Sequence, residues 1–328
     1  MLRYFLGVDG GGSKCDAVLI DEQGTVHGWG RGGATTYTAP IHRDRSASRA
    51  AAQALGDRSP DHVILATTWG DSGAARRLSR QGTRVEYMHI LEWEATYTAA
   101  GRQWGLAVHC GTGSWVMGRT PDGREQRRGG MGPFVGDEGS GWDLGMRGLR
   151  AALKSSWSED HHTILAETMP AALGIENMMQ VVGQPLTSGQ ITRGQIASAA
   201  PTVIRAAHNG DTVAREILHE AAASLSEVAT VVMNDLGTVG QGYPLIGIAG
   251  VVQGSPLYWS ILTDHLLEID PTLEPEVPPF RMVVGAALEA MRRTSIEPDE
   301  QIRRRIQETQ KNFPNASVPT YDDTQEAD

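Results

Sequence analysis

The 328-residue chain is long enough for about two domains, each with its own core, and its 21% charged and 40% hydrophobic residues belong to a globular protein rather than a disordered one. With 39 acidic residues against 29 basic ones the net charge is −10, the wrong sign for a protein whose main partner is a nucleic acid, and only three of the basic residues are lysines (Lys14, Lys154, Lys311). Two cysteines, Cys15 and Cys110, cannot supply a disulfide framework or a four-thiolate metal site. They point to a reducing compartment. No stretch approaches the roughly 18 apolar residues of a membrane helix and the N-terminus lacks a cleavage-site pattern, so the expectation is a soluble cytoplasmic protein without a membrane partner.

Taken in chain order, residues 4–8 and 16–21 are apolar runs flanking a glycine stretch, which predicts a hairpin, and residues 25–31 predict a third strand. An alanine-rich helix follows at 46–55, then strands at 62–67 and 85–90, a helix at 93–102 and a strand at 106–109. Strands first and strands alternating with helices afterwards make an α/β lobe. A glycine-rich loop spans 129–145, and residues 149–166 read as a helix. The longest helical segment covers 188–238, broken at Ala200-Pro201 and at the turn Asn209-Gly210-Asp211. A short strand at 245–249, a helix at 257–267, a proline-rich loop, an apolar helix at 283–291 and a polar helix at 300–311 complete the chain, with 313–328 as a disordered acidic tail. No internal repeat of fixed period is present.

Four glycine-rich loops carry the chemistry. Asp9-Gly10-Gly11-Gly12-Ser13-Lys14 lies between two strands, which argues against a dinucleotide-binding fingerprint, since that requires a helix after the glycines, and its spacing is not that of a Walker loop. Consecutive glycines in a hairpin still let backbone N–H groups approach a phosphate, while a hydroxyl adds a bond and an aspartate holds Mg2+ through water. A purely structural glycine hairpin is the other reading. Gly111-Thr112-Gly113-Ser114 repeats the pattern after another strand, so two such turns could clamp a polyphosphate. Gly130-Met131-Gly132, followed by Gly136-Asp137-Glu138-Gly139-Ser140-Gly141, packs two adjacent carboxylates among glycines and reads as ligand-facing. Gly247-Ile248-Ala249-Gly250-Val251 follows a strand and either lets a nucleobase lie on bare backbone or is a tight strand-to-helix turn.

In order and spacing these motifs resemble the BadF/BadG/BcrA/BcrD ATPase family, and within it the N-acetylglucosamine kinase branch of the sugar kinase, heat-shock chaperone and actin superfamily. The similarity runs over about residues 4–292: GVDGGGSK resembles the first phosphate motif, CGTGS the second, GMGPFVGDEGSGWDLG the GWGxxxGDEGSxxWIG signature and LIGIAGVV the adenosine motif. The resemblance implies an α/β, two-lobed actin-like ATPase (ribonuclease H-like) fold with ATP and substrate in the interlobe cleft. Residues 1–115 would form the first lobe, with a C-terminal helix at about 286–311 packing back on it, and 116–285 the second. It implies an ATP-dependent kinase that phosphorylates an amino sugar, with ATP and Mg2+ as cofactors, and a homodimer. Carried over, Gly11, Gly12, Ser13, Lys14, Gly111, Thr112 and Gly113 would contact the ATP phosphates, and Gly250 and Val251 the adenosine. Asp9 would organise the Mg2+, while Ser114, Gly130, Met131, Gly132, Asp137 and Glu138 would line the sugar.

Four positions depart from the family pattern. The catalytic base is an aspartate 19 residues before the second loop's first glycine, which here is Glu92; one extra methylene moves the carboxylate by about 1.5 Å, and displacements near 1 Å can cost on the order of 10²-fold in rate. Glu94 reads as a solvated residue of the same helix. Thr36 stands where an asparagine holds a sugar hydroxyl, Trp115 where a smaller residue follows the serine, and Met131 where the signature has tryptophan. These changes point to a reshaped sugar pocket. They leave a non-catalytic nucleotide- or sugar-binding sensor as the alternative. An iron–sulfur activator, the family's other branch, lacks cysteines in a bridging position.

Overall fold

Apolar runs and the glycine turn make the N-terminal residues a meander of three antiparallel strands, β1 (Tyr4–Gly10), β2 (Cys15–Asp21) and β3 (Val26–Gly32). After α1 (Pro40–Leu55), β4 (His62–Thr67) pairs parallel with β1, and after α2 (Gly73–Arg80), β5 (Arg84–His89) pairs parallel with β4. The sheet order is β3-β2-β1-β4-β5, and α3 (Glu92–Ala100) follows it. This computed structural model describes residues 2–36, 38–70, 73–158, 161–178, 191–316 and 320–322. The short, arginine-rich α2 was not read from the sequence; its buried Ala74, Ala75 and Leu78 give it only a narrow apolar face.

Helix α1 lies on β3 at backbone distance. A Cβ on Gly28, Gly30 or Gly32 would overlap the carbonyl oxygens of Ala54, Ala50 and Ser46 respectively. The match is geometric: four helical residues rise about 6 Å and two strand residues about 6.6 Å, so every second strand residue, a glycine, meets every fourth helix residue. Ala47, Ala50, Ala51 and Ala54, all nearly or fully buried, complete the seam with side chains small enough to permit it.

A second sheet begins with β6 (Gly105–Cys110), β7 (Ser114–Arg119) and β8 (Glu125–Gly129), again antiparallel. Five helices follow among the described residues: α4 (Gly141–Ser155), α5 (Leu165–Leu173), α6 (Arg193–Ser198), α7 (Ala200–His208) and α8 (Thr212–Leu236). Then β9 (Pro244–Ile248), α9 (Gly250–Gly254), α10 (Pro256–Ile269) and β10 (Glu274–Glu276) complete a sheet of order β10-β9-β6-β7-β8, in which β9 is parallel to β6 and β10 to β9. Each sheet is thus a three-stranded antiparallel meander whose first strand also carries two parallel strands. A repeat of topology exists where no repeat of sequence is visible. The half-buried carboxylate of Asp211 accepts the Ala214 N–H at 2.8 Å and caps α8, at the turn the sequence marks. The predicted helix at 149–166 is instead two helices, and α4 starts earlier, at Gly141, with Ser140 accepting the Asp143 N–H. Gly145 inside α4 reads as loop in the sequence; in the fold it admits the Ile196 carbonyl of α6. Of the expected 188–238 segment, residues 188–190 lie outside the described residues.

The chain closes with α11 (Met282–Arg293) and α12 (Glu300–Gln310). The structure divides into two compact units, Met1–Gln103 with Pro278–Val318 and Trp104–Val277 with Pro319–Asp328. The first division falls before β6 rather than at 115, because β6 and β7 are neighbours in the second sheet. In the first unit, α11 approaches α3 where Gly285 faces the Ala95 carbonyl, and the buried Glu289 of α11 accepts from Thr98 Oγ1 at 2.8 Å, Arg292 Nη2 at 2.7 Å and Arg293 Nε at 3.0 Å. The expected disordered tail opens with a turn whose Asn315 carbonyl accepts from Arg281 Nη1 at 2.7 Å. In the second unit, Asp322 accepts from Ser255 Oγ at 2.8 Å and Leu257 N–H at 2.9 Å, at the start of α10. Among the described residues no helix is long and apolar enough to cross a membrane.

Gly30→Ala should destabilise the protein by about 3 kcal/mol, since the new methyl meets a helix backbone that cannot move aside. Gly70→Ala, where a Cβ meets nothing within 4 Å, should stay within about 0.5 kcal/mol of the parent. Urea unfolding of the three proteins checks the difference.

Candidate functional site

In the first unit the β1–β2 hairpin places Asp9 directly across from Asp16. Two carboxylates facing one another need cations. Asp16 has them: Arg31 Nε at 2.7 Å, Arg281 Nη2 at 2.8 Å and Lys14 Nζ at 3.6 Å. Asp9 accepts instead from Thr68 Oγ1 at 2.8 Å. Burial pushes its carboxyl up to about 6, Thr68 opposing the shift and the Asp16 charge adding to it. Lys14 is pushed down to about 8, first by burial and then by the like charge of Arg281. Its partner is Asp16, so Lys14 neutralises the hairpin itself.

The hairpin tip is closed by Gly11 N–H donating to the Lys14 carbonyl at 2.8 Å, with Gly12 beside it and Ser13 exposed. The Gly11 carbonyl in turn accepts from the backbone N–H groups of Thr35 at 2.9 Å and Thr36 at 3.3 Å. The structure thereby brings Thr36 onto the first glycine loop. Glu92 is half-buried in the first turn of α3, where the helix N-terminus favours a carboxylate. Glu94 is not a solvated residue: it accepts the Leu91 N–H at 2.8 Å and pairs with Arg293 at 2.7 Å, closing the helix end.

In the second unit the β6–β7 turn and the following glycine-rich segment form one stitched body. Ser114 Oγ donates to the Glu138 carbonyl at 2.7 Å, Ser114 N–H to Asp137 Oδ1 at 3.3 Å, and Gly130 N–H to the Ser114 carbonyl at 2.8 Å. Gly141 N–H reaches the Gly111 carbonyl at 2.8 Å, and Trp142 N–H the Thr112 carbonyl at 3.2 Å. Asp137 is 2% exposed and takes the left-handed region, φ 64°. Its Oδ2 pairs with Arg193, a residue that sequence reading assigned to no site. The position-250 loop joins the same body: a Cβ on Gly111 would stand 3.3 Å from Ala249 Cβ, and a Cβ on Gly250 3.4 Å from the hydroxyl of Tyr321. Val251 turns its side chain into the core. Met131 is 71% exposed while Gly132 is buried.

Trp115 does not present an open indole. It is 4% exposed, stacks on its cross-strand partner His109 with ring centres 5.0 Å apart, and has the Arg127 guanidinium 5.5 Å from its ring. Burial, and then the Arg127 charge, push His109 down to about 4, so the stack is uncharged at neutral pH. Both cysteines are fully buried and burial pushes both thiols up, the opposite of what a thiolate ligand needs. Among the described residues no group of three His, Cys, Asp or Glu side chains could hold a metal ion.

The chain matches the model of the BadF/BadG/BcrA/BcrD ATPase family over residues 6–290. It is 28% identical over 264 residues to the N-acetylmuramic acid/N-acetylglucosamine kinase of Clostridium acetobutylicum, covering 76% of this chain and 86% of the relative. It is 23% identical over 319 residues to the N-acetyl-D-glucosamine kinase of Dictyostelium discoideum, covering 88% and 98%. A crystal structure from Chromobacterium violaceum, described as a candidate N-acetylglucosamine kinase, superposes with a TM-score of 0.61 at 25% identity, covering 88% of this chain and 99% of that one.

The raised Asp9 carboxyl has a measurable consequence for the ligand-free protein. In the unfolded chain it loses its proton from its ordinary value of 3.8, in the folded protein only at about 6. Its contribution is therefore most favourable below the lower value and is lost as pH rises through the upper one. Asp9→Asn should raise the melting temperature relative to the parent at pH 8 and change it little near pH 4, as calorimetry across this range would record.

Proposed function

Because the chain belongs to the BadF/BadG/BcrA/BcrD ATPase family, we propose that it is an ATP-dependent kinase that transfers the γ-phosphoryl group to a hydroxyl of an amino sugar. The observation that carries this reading is the stitched body of the second unit, in which the glycine-hydroxyl turn at 111–114 and the carboxylate loop at 136–141 are held by direct hydrogen bonds. Backbone N–H groups and hydroxyls in such turns bind phosphate without lysine. The names of the relatives support an amino sugar as acceptor.

In this reading Ser13 and Thr112 supply hydroxyls to the phosphates, with the glycines around them leaving the backbone accessible. Gly250 lines the adenosine from the start of α9. Thr36, Ser114, Gly130, Gly132 and Asp137 orient the sugar, and Glu92 takes the proton of the attacking hydroxyl. The ionised form that a base requires suits the position of Glu92 at a helix N-terminus. Asp9 fits Mg2+: it is a hard oxygen donor that accepts from the Thr68 hydroxyl, while the neighbouring Arg281 and Lys14 pair with Asp16, and Mg2+ is commonly held by one or two carboxylates, water and substrate phosphates. When bound there, Mg2+ supplies the positive charge that phosphoryl transfer needs. The same reading takes the protein as cytoplasmic and homodimeric, both resting on the family resemblance and the composition.

Glucosamine, N-acetylglucosamine or N-acetylmuramic acid should raise Mg2+-dependent ATP turnover about tenfold or more above the ATP-only rate, and neutral hexoses should not. Glu92→Gln should lower kcat on the order of 10²-fold with the KM for ATP unchanged. Saturable ATP binding with no phosphorylated sugar in this panel would assign a nucleotide-binding sensor instead.

A further inference from the structure

We infer that Arg193 is a positioning residue of the second phosphate loop: it fastens Asp137 against Gly113 and Ser114 and cancels the carboxylate's charge where the nucleotide phosphates bind. The inference rests on the reading of residues 111–114 as a phosphate loop.

The placement follows from the fold around it. Arg193 opens α6, and its neighbour Thr192 closes the helix with a reciprocal pair of bonds, Gln195 N–H to Thr192 Oγ1 at 3.2 Å and Thr192 N–H to Gln195 Oε1 at 2.9 Å. α6 is seated on α4 through Gly145 and the Ile196 carbonyl, and α4 begins three residues after Asp137, at Ser140 as its cap. Both partners of the ion pair are therefore held by the same helix–helix contact. Their side chains are 18% and 3% exposed, little enough that the pair is weakly screened by solvent.

Glycine at position 113 exists for this pair. A Cβ there would stand 2.6 Å from Asp137 Oδ1 and 2.8 Å from Arg193 Nη2, so carboxylate and guanidinium together lie over the loop where a side chain would be. Without the guanidinium, a buried carboxylate would face the loop that has to accept a polyphosphate. Two like charges about 5 Å apart at an effective dielectric constant near 20 repel enough to weaken binding roughly a hundredfold. Arg193 removes that repulsion, and its fork, bonded to Asp137 Oδ2 while Ser114 N–H holds Oδ1, keeps the carboxylate from turning toward the phosphates.

The test is nucleotide affinity measured by calorimetry without sugar, beside the melting temperature. Arg193→Gln should weaken ATP and ADP binding about tenfold or more, Arg193→Lys less so, and Arg193→Gln combined with Asp137→Asn should return ATP affinity to within about threefold of the parent, because no unpaired charge is left. In turnover, the KM for ATP should rise more than the KM for sugar. Arg193→Gln with a lowered melting temperature but parental nucleotide affinity overturns the inference, and so does a double variant that binds ATP no better than Arg193→Gln. Should Arg193→Gln fail to fold, the lysine variant and the uncharged double variant carry the same comparison. A parent protein that binds no ATP overturns the kinase reading and this inference together. A parent that binds ATP but phosphorylates no sugar overturns only the kinase reading.

Discussion

Main chain meeting main chain with no side chain between is the constraint on which this molecule depends. In the first unit the stripe Gly28, Gly30, Gly32 lets α1 settle onto β3 at the distance of its own carbonyl oxygens. A larger residue at any of the three would lift the helix and open a void along the alanine seam, and interiors packed to crystal density tolerate neither. The second unit uses the same device between its glycine-rich loops. Gly113 leaves room for an ion pair on top of a loop, and Gly141 N–H reaches the Gly111 carbonyl because nothing stands between the two turns. Helix seating and loop geometry come from one property, the missing Cβ.

The two sheets share a strand order, and in each the turn after the first strand carries the glycine-hydroxyl loop. Their electrostatics differ. The β1–β2 hairpin sets Asp9 opposite Asp16, with Arg31, Arg281 and Lys14 all paired to Asp16, while Asp9 accepts from the Thr68 hydroxyl. The β6–β7 hairpin sets His109 opposite Trp115 in an uncharged stack. The two equivalent turns thus differ in charge: the first presents carboxylates, the second an uncharged stack beside backbone groups and hydroxyls. In a chain of net charge −10 with three lysines, guanidiniums neutralise the carboxylates beside both loops.

Much of the fold was legible in the residues. Strands at 4–10, 15–21 and 62–67 follow from apolar runs bounded by turn residues, and the cap at Asp211 from the Asn-Gly-Asp turn. The misses share a physical origin. Glycines within 129–145 read as loop, whereas Gly141 and Gly145 lie inside α4, where close contact offsets their poor helix propensity. β8 is the charged run Glu125–Gly129, with no apolar alternation, and is a strand only because β7 offers it an edge. Glu94 looked solvated because its partner Arg293 stands 199 positions away.

For the candidate site, the motifs Asp9–Lys14, 111–114 and 136–141 stand out by composition and spacing alone, because glycine and hydroxyl residues at a turn are the features that the proposed phosphate contacts would use. Local sequence also sufficed for most strands and helices, which depend on periodicity over a few residues, but not for α2, β7, β8 or β10. Partnership did not. That Asp16 collects three cations, that Arg193 rather than a lysine guards Asp137, and that Tyr321 reaches the loop at Gly250 are set by contacts between residues far apart in the chain. Such pairings have no periodicity to betray them; they exist only once the sheets and helices have brought the partners within hydrogen-bonding distance.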